Sequence, residues 1–309
     1  MIVTRDEEVI DVSIGEDEND PLFYINDLLP HLGHEQGKQP LDDGIKGEQL
    51  NVLVGSMPCG EENSVKLNVL RLLNEKYGIT EDDFLSSELC VVPAAKARDV
   101  GFDRSLIGAY GHDDRVCAYP ILTALLDGED TVHTKLCILA DKEETGSDGP
   151  SGMQCDLMLD LINEISTALG GNPAVVRANS KCLSADVSAA YDPNFPEVFE
   201  KRNTPLLACG AVFTKFTGSR GKSGTNDASA EYIGWLRHIL SRDGVVWQAG
   251  ELGKVDCGGG GTVAKYISKH NIDTIDLGVP VLSMHAPFEV IAKVDLYETY
   301  RAVRAFYQY

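Results

Sequence analysis

Apolar and polar positions divide this chain into two stretches of different character. Up to about residue 92 the apolar residues come in short pieces. Val9, Ile10, Val12 and Ile14 alternate with polar neighbours, and this predicts a strand. The segments 50–54 and 89–92 are also strand-like, and Pro93 ends the second. Between 64 and 77 the pattern is helical. Val65, Leu67, Val69, Leu70, Leu72 and Leu73 form a broad apolar face, Ser64 can cap its start and Gly78 can stop it. From residue 94 onward strand and helix patterns alternate, the signature of an α/β domain. Strands are predicted at 132–140, 175–179, 206–216, 245–248 and 275–287. Helices are predicted at 115–126, 151–169, 226–240, 258–269 and 287–306.

Four chemistry-bearing positions fall at or just beyond probable strand ends. The strand over 132–140 runs into Glu143 and Glu144, and a Gly/Ser/Asp/Pro loop follows at 146–152. In open α/β sheets ligands bind at such strand ends. Adjacent residues there point in different directions, so one glutamate can hold a metal while its neighbour faces a water. Asp113 (or Asp114), Asp186 and His285 share the placement. Carboxylates with an imidazole are the ligand set expected of zinc, cobalt or manganese. Two such ions ~3.5–4 Å apart, bridged by a carboxylate and a water, make a hydrolytic centre. Taken singly, each residue has a plain structural role available: solvated acidic loop, helix N-cap, turn residue, satisfied buried histidine. Taken together, in the order Asp, Glu-Glu, Asp, His, they favour a metal site.

Composition narrows the picture further. The 309 residues suffice for two domains, and 43% hydrophobic with 24% charged residues suits a globular protein. With 27 basic and 48 acidic side chains the formal charge is −21, which argues against nucleic acid or an anionic membrane as partner. Eight cysteines are scattered without a C-x-x-C pair. They read as reduced core thiols of a cytoplasmic protein. No signal peptide and no membrane-length apolar run is visible.

A family resemblance covers most of the chain. It rests on Gly111-His112-Asp113-Asp114-Arg115-Val116, on Asp141-Lys142-Glu143-Glu144-Thr145-Gly146-Ser147 and on Ser184-Ala185-Asp186-Val187-Ser188. Lys254-Val255-Asp256 with Gly260-Gly261-Thr262 and Leu277-Gly278-Val279-Pro280-Val281-Leu282-Ser283-Met284-His285-Ala286 extend it. In these pieces the chain resembles the aspartyl aminopeptidase / aminopeptidase I family of co-catalytic zinc exopeptidases. The resemblance implies an α/β fold: a central mixed sheet flanked by helices in a three-layer sandwich, with part of a β-rich oligomerisation domain. It implies that 1–92 is the latter part of that inserted domain, and 93–309 a catalytic domain lacking its N-terminal strands.

The resemblance also implies roles. Two divalent ions, zinc first and cobalt or manganese next, would be bridged by Asp113. Glu144 and His285 would complete one site and Asp186 the other. Glu143 would be the base, and Asp114 a supporting partner. Peptides with a free N-terminus would be the substrates, and the chain would self-associate, from dimer to dodecamer. His31 or His34 would reach a neighbouring copy's site. Lys254 would lie near the substrate. The basic loop with Arg220 and Lys222 is read from its residues alone, either as lining the substrate pocket, with Lys222 reading an acidic first side chain, or as a salt-bridged surface loop. The family's upstream strand ending in a His-x-Asp motif has no counterpart ahead of Asp113. The expectation is therefore that one metal keeps three protein ligands and the other only two. A catalytically incomplete assembly subunit or fragment is the alternative, and a related binuclear deacylase or carboxypeptidase a third reading.

Overall fold

The computed structural model describes residues 1–60 and 64–309, which divide into two compact units, Met1–Ala94 and Ala95–Tyr309. The first unit holds two strand pairs of minimal length. β1 (Ile2–Val3) pairs with β2 (Val9–Ile10), and β3 (Tyr24–Ile25) with β4 (Val52–Leu53). Its helix, α1 (Val65–Tyr77), is capped as its sequence dictates. The Ser64 side chain accepts from the Leu67 N–H, and Gly78, with φ 72°, closes the other end on the Asn74 carbonyl. Residues 89–92, expected as a strand, are irregular and exposed.

The second unit is built on two sheets. One has the order β5 (Arg98–Val100), β6 (Leu106–Ala109), β13 (Glu289–Ala292), β12 (Pro280–Leu282), β8 (Ser188–Ala189). The other has the order β10 (Trp247–Ala249), β9 (Ala211–Thr214), β11 (Asp273–Gly278), β7 (Lys181–Ser184). Both are mixed: β11 runs parallel to β7 and antiparallel to β9, and β12 parallel to β8 and antiparallel to β13. Helices α2 (His112–Leu126), α3 (Leu157–Ala168), α4 (Pro173–Asn179), α5 (Ala230–Arg242), α6 (Ala264–Ser268) and α7 (Lys293–Gln308) accompany them.

The period of two along β11 assigns its faces. Ile275 and Leu277 join Tyr232, Leu236, Ile239 and Leu240 of α5 and Ala302 and Val303 of α7 in the main core. The α5 residues recur at helical spacing, and Ser229 caps the helix by accepting from the Tyr232 N–H. Each such buried aliphatic side chain contributes about 1.5–3 kcal/mol, so Leu240→Ala would cost about 2–5 kcal/mol. A second cluster, Val116, Cys117, Val187, Val279, Val281 and Ile291, lies under the residues that line the site.

The structure departs from expectation elsewhere too, the helix expected over 258–269 being confined to Ala264–Ser268. Residues 132–140 form no strand. Val132 is 94% and Leu139 57% exposed, and among the described residues no strand lies alongside to satisfy a ladder. Residues 173–179 are the helix α4 and not a strand, because Asn172 caps it and Pro173 is pre-set for a first turn; these outweigh the β-branched Val175 and Val176. Within 287–306, Glu289–Ala292 is strand β13, since Ile291 is fully buried between two strands, and the helix starts only at Lys293. All eight cysteines are free, as expected, but Cys90 and Cys257 are exposed and so are not core thiols.

Candidate metal centre

Three strands deliver the residues of the site. β6 leads through Gly111 into Asp113 at the start of α2, where the Asp113–Asp114 peptide bond is cis. β7 leads to Asp186, and Gly278 of β11 lies so close to it that an added Cβ would strike the Asp186 carbonyl oxygen. β12 leads into a turn in which Ser283 and His285 both take positive φ, so the imidazole stands beyond the strand end. Glu143 and Glu144 come from elsewhere. They sit in a single 3-10 turn, Glu143–Thr145, after the irregular segment. That turn is knitted locally: Ser147 N–H donates to the Lys142 carbonyl at 2.7 Å, and the Gln154 amide donates to the Gly146 carbonyl at 2.8 Å.

The fold brings the expected ligands together. His285 Nε2 lies 3.0 Å from Asp113 Oδ2 and 3.3 Å from Glu144 Oε1. Asp113, Glu144 and His285 offer donor atoms all within 4.8 Å of one another. Asp113, Asp114 and Asp186 form a second such group, so Asp113 belongs to both. Asp114, expected either in place of Asp113 or as its supporting partner, has a carboxylate oxygen within this second group. Its Oδ1 is buried and has no hydrogen-bond partner among the described residues.

Crowded carboxylates raise one another's proton affinity. Burial first, and then the charge of Glu144, push Asp113 up to about 7. Asp114 is pushed up to about 8 chiefly by burial, against a pull from the Cys117 thiol. Asp186 lies well above the usual carboxylate range, again through burial and then Asp114 and Asp113. Glu143 is raised by burial and by Glu144, with His285 and Lys265 opposing. Burial and crowding thus raise the proton affinity of four carboxyls at one place, a cost that a cation would relieve.

Glu143 faces a cavity of about 120 Å³ lined also by Gly146, Ser147, Gly261, Thr262, Lys265 and Tyr266. Asp276 lies behind it, its carboxylate accepting from the Ser184 hydroxyl at 2.7 Å and pushed up to about 6 by burial. The glycine run at 258–261 acts by close approach: a Cβ on Gly259 would strike the Gly218 carbonyl.

The remaining sequence candidates do not converge on the donor groups. The Lys222 ammonium pairs with Asp227 at 2.7 Å and stacks over Phe216. Lys254 donates to the Glu197 carbonyl. His31 and His34 are exposed residues of the first unit, and His34 lies 4.0 Å from Glu35. The sequence reading missed Thr262, Lys265, Asp276 and Glu289. Glu289 had a visible signal, a lone acid inside the apolar run Phe288-Glu289-Val290-Ile291-Ala292.

Against this geometry, likeness to known proteins is decisive. The family described as aminopeptidase I zinc metalloprotease (M18) matches residues 1–307. The chain belongs to the M18 family. It is therefore a metallo-aminopeptidase by family, and neither a deacylase nor a carboxypeptidase reading has support. The relative named "Probable M18 family aminopeptidase 1" from Clostridium acetobutylicum is 50% identical, over 99% of this chain and 67% of that protein. Its namesake from Thermotoga maritima is 45% identical over 99% and 68%. Among solved structures, the M18 aminopeptidase of Thermotoga maritima superposes with TM-score 0.92 at 42% identity, covering 99% of this chain and 69% of that one. The M18 chain thus spans about two thirds of these relatives' length. A yeast mApe1 dodecamer, 23% identical with TM-score 0.64 over 84% of this chain and 60% of that one, shares the fold. No helix of the described residues is long and apolar enough to cross a membrane.

Proposed function

We propose that this M18 chain removes the N-terminal residue of peptides at a centre of two divalent ions that share Asp113. The observation that supports this most strongly is the pair of donor groups with Asp113 in common, beside a cavity that Glu143 lines. The donor set fits zinc, with cobalt or manganese as substitutes: oxygen donors, one imidazole, and a buried Asp114 oxygen with no other partner. Asp113, Glu144 and His285 would hold one ion. Asp113 and Asp186, with Asp114 beside them, would hold the other. When bound, the ions would acidify a water and polarise the scissile carbonyl.

The chain's own groups supply the rest. Glu143 takes the proton from the attacking water and returns it to the leaving amine. Burial raises the proton affinity of Glu143, which matches it better to that exchange. The cavity beside Glu143 receives the peptide, and the free α-amino group sits among the acidic side chains. The first unit acts as part of an oligomerisation domain, so that copies of the chain associate, from dimer up to dodecamer. The working compartment is the cytoplasm, and neither nucleic acid nor a membrane surface is a partner at a charge of −21.

The test uses zinc-dialysed protein and paired peptides that differ only in N-acetylation. Cleavage of the free-amine peptides alone, lost on chelation, is the expected result. Equal cleavage of both members of each pair would refute an aminopeptidase. A fully zinc-loaded chain that cleaves neither would favour the non-catalytic assembly subunit.

A further inference from the structure

β13 lies between the two strands that lead to Asp113 and His285. It pairs with β6 on one side and β12 on the other, with Glu289 opposite Ala109 and Val290 opposite Leu282. Glu289 opens this strand, is 1% exposed, and sits inside an otherwise apolar run. Its carboxylate is fully engaged. Oε2 accepts the Asp113 backbone N–H at 3.0 Å, and Oε1 accepts the His285 backbone N–H at 2.8 Å. The two acceptors thus bind residues separated by 172 positions in the chain (285 − 113). These are also the two residues whose side chains meet at 3.0 Å. A buried carboxylate is costly unless hydrogen-bonded, and here both oxygens accept from backbone N–H groups at the site, with no salt bridge to Glu289 among the described residues. Neither backbone has a ladder to fix it at these points: Asp113 has non-helical φ/ψ inside α2, and His285 takes a positive φ in a turn.

We infer that Glu289 is a positioning residue: its carboxylate pins the backbones of Asp113 and His285 and so fixes the distance between two ligands of one metal ion. The inference rests on the reading of Asp113 and His285 as metal ligands. Charged acceptors make the stronger hydrogen bonds, and a single rigid carboxylate holding both ligand backbones sets their spacing before any ion arrives. Glutamine at this position keeps one acceptor and turns an NH₂ donor toward the other N–H, so one anchor is lost while volume is kept.

The decisive comparison sets Glu289→Gln and Glu289→Ala against wild type in two assays on the full chain. The first is amide hydrogen exchange of Asp113 and His285 without metal. The second is zinc affinity by competition with a chelator dye. Glu298→Gln is the control for lost stability alone, because Glu298 is a buried acid of α7 whose carboxylate accepts from the Val246 N–H and from Arg301. The expected result is faster exchange at one of the two amides in Glu289→Gln and at both in Glu289→Ala. Zinc affinity falls ~10- to 100-fold in Glu289→Gln, while Glu298→Gln loses thermal stability and keeps zinc affinity. Unchanged exchange at both amides in Glu289→Ala would overturn the proposal. So would faster exchange with wild-type zinc affinity. If wild type binds no zinc but the two amides lose protection in the variants, the anchoring stands and the metal-centre reading falls.

Discussion

The two sides of the centre are built differently. Asp113, Asp186 and His285 follow strands of the two sheets. Glu289 ties two of them by their backbones, and Gly278 is packed hard against the third. Glu143 and Glu144 instead ride on a 3-10 turn that closes on itself, after a segment that lies in no sheet. Its ties to the next stretch are short-range: the isolated Asp141–Gly152 bridge, the Ser151 hydroxyl on Asp141, and the Gln154 N–H groups donating to the Gly146 and Ser147 carbonyls. One side of the centre is pre-set by the core, and the other by a local loop. The contrast teaches that donor atoms within a few ångströms of one another can be held in two ways, His285 and Asp113 by the sheets and Glu144 by a turn closed on its own hydrogen bonds.

Breaking the shared ligand should have the largest effect. Asp113→Asn removes a donor from both groups. Metal content should drop for both ions together, and kcat/KM should fall ~10³-fold or more. Retention of one tightly held ion would show that the two groups are independent. On the loop side, Glu143→Gln should lower kcat by ~10²- to 10⁴-fold while metal content stays at wild type. If zinc is lost as well, Glu143 is a ligand and the two sides are not distinct.

A matched pair of small substitutions sharpens the comparison. Gly278→Ala forces a methyl onto the Asp186 carbonyl within the sheet and should cost about 1–3 kcal/mol in thermal unfolding. Gly152→Ala forces one onto the Ser147 carbonyl within the loop. It should lower kcat with little change in Tm, because a loop that closes on itself opens without unfolding the sheets. Equal Tm losses would mean the loop is part of the core.

The pH response should follow the strand side. Asp113 at about 7 and Asp114 at about 8 lie above the ordinary carboxylate value of ~3.9. Groups raised in the folded state contribute stability that is fully present below ~4 and is lost as pH rises through 7 to 8. Metal-free protein should therefore melt at lower temperature at pH 8 than at pH 5.5, and zinc should flatten the slope. Zinc binding near pH 7 should release protons, measurable by calorimetry in buffers of different ionisation enthalpy. A metal-free melting curve that rises with pH over this range would contradict the burial argument. The smallest effect belongs to Lys222→Ala. An exposed pair with Asp227 is worth about 0–1 kcal/mol, so stability should barely move. A preference for acidic over neutral first residues that also stays put would remove Lys222 from substrate reading.

Part of the candidate site was legible in the chain because Asp113, Asp186 and His285 follow strand ends, where apolar runs stop and an acid or histidine begins. Glu144 was picked out on the expectation of a strand that is absent, yet the fold brings it beside Asp113 and His285. The helix caps at Ser64 and Gly78 were equally readable, because capping is local chemistry. The strand over 132–140 was not, because an apolar β-branched run reports a preference for burial but not whether a neighbour exists to pair with it. Asp114 and Glu289 escaped for a related reason. Sequence order left Asp113 and Asp114 interchangeable as the strand-end acid, because it cannot show that both carboxylates converge with Asp186. Glu289 acts through the backbones of residues far away in the chain, and only the pairing of β13 with both β6 and β12 brings it there.

The most direct test of the two-ion centre is metal content per chain after dialysis with zinc, measured by elemental analysis on wild type and Asp113→Asn side by side. Two ions per chain in wild type, with both lost in Asp113→Asn, is the result this account requires. One ion or none in wild type would contradict a shared centre, and would leave the clustered carboxylates without the cations assigned to them.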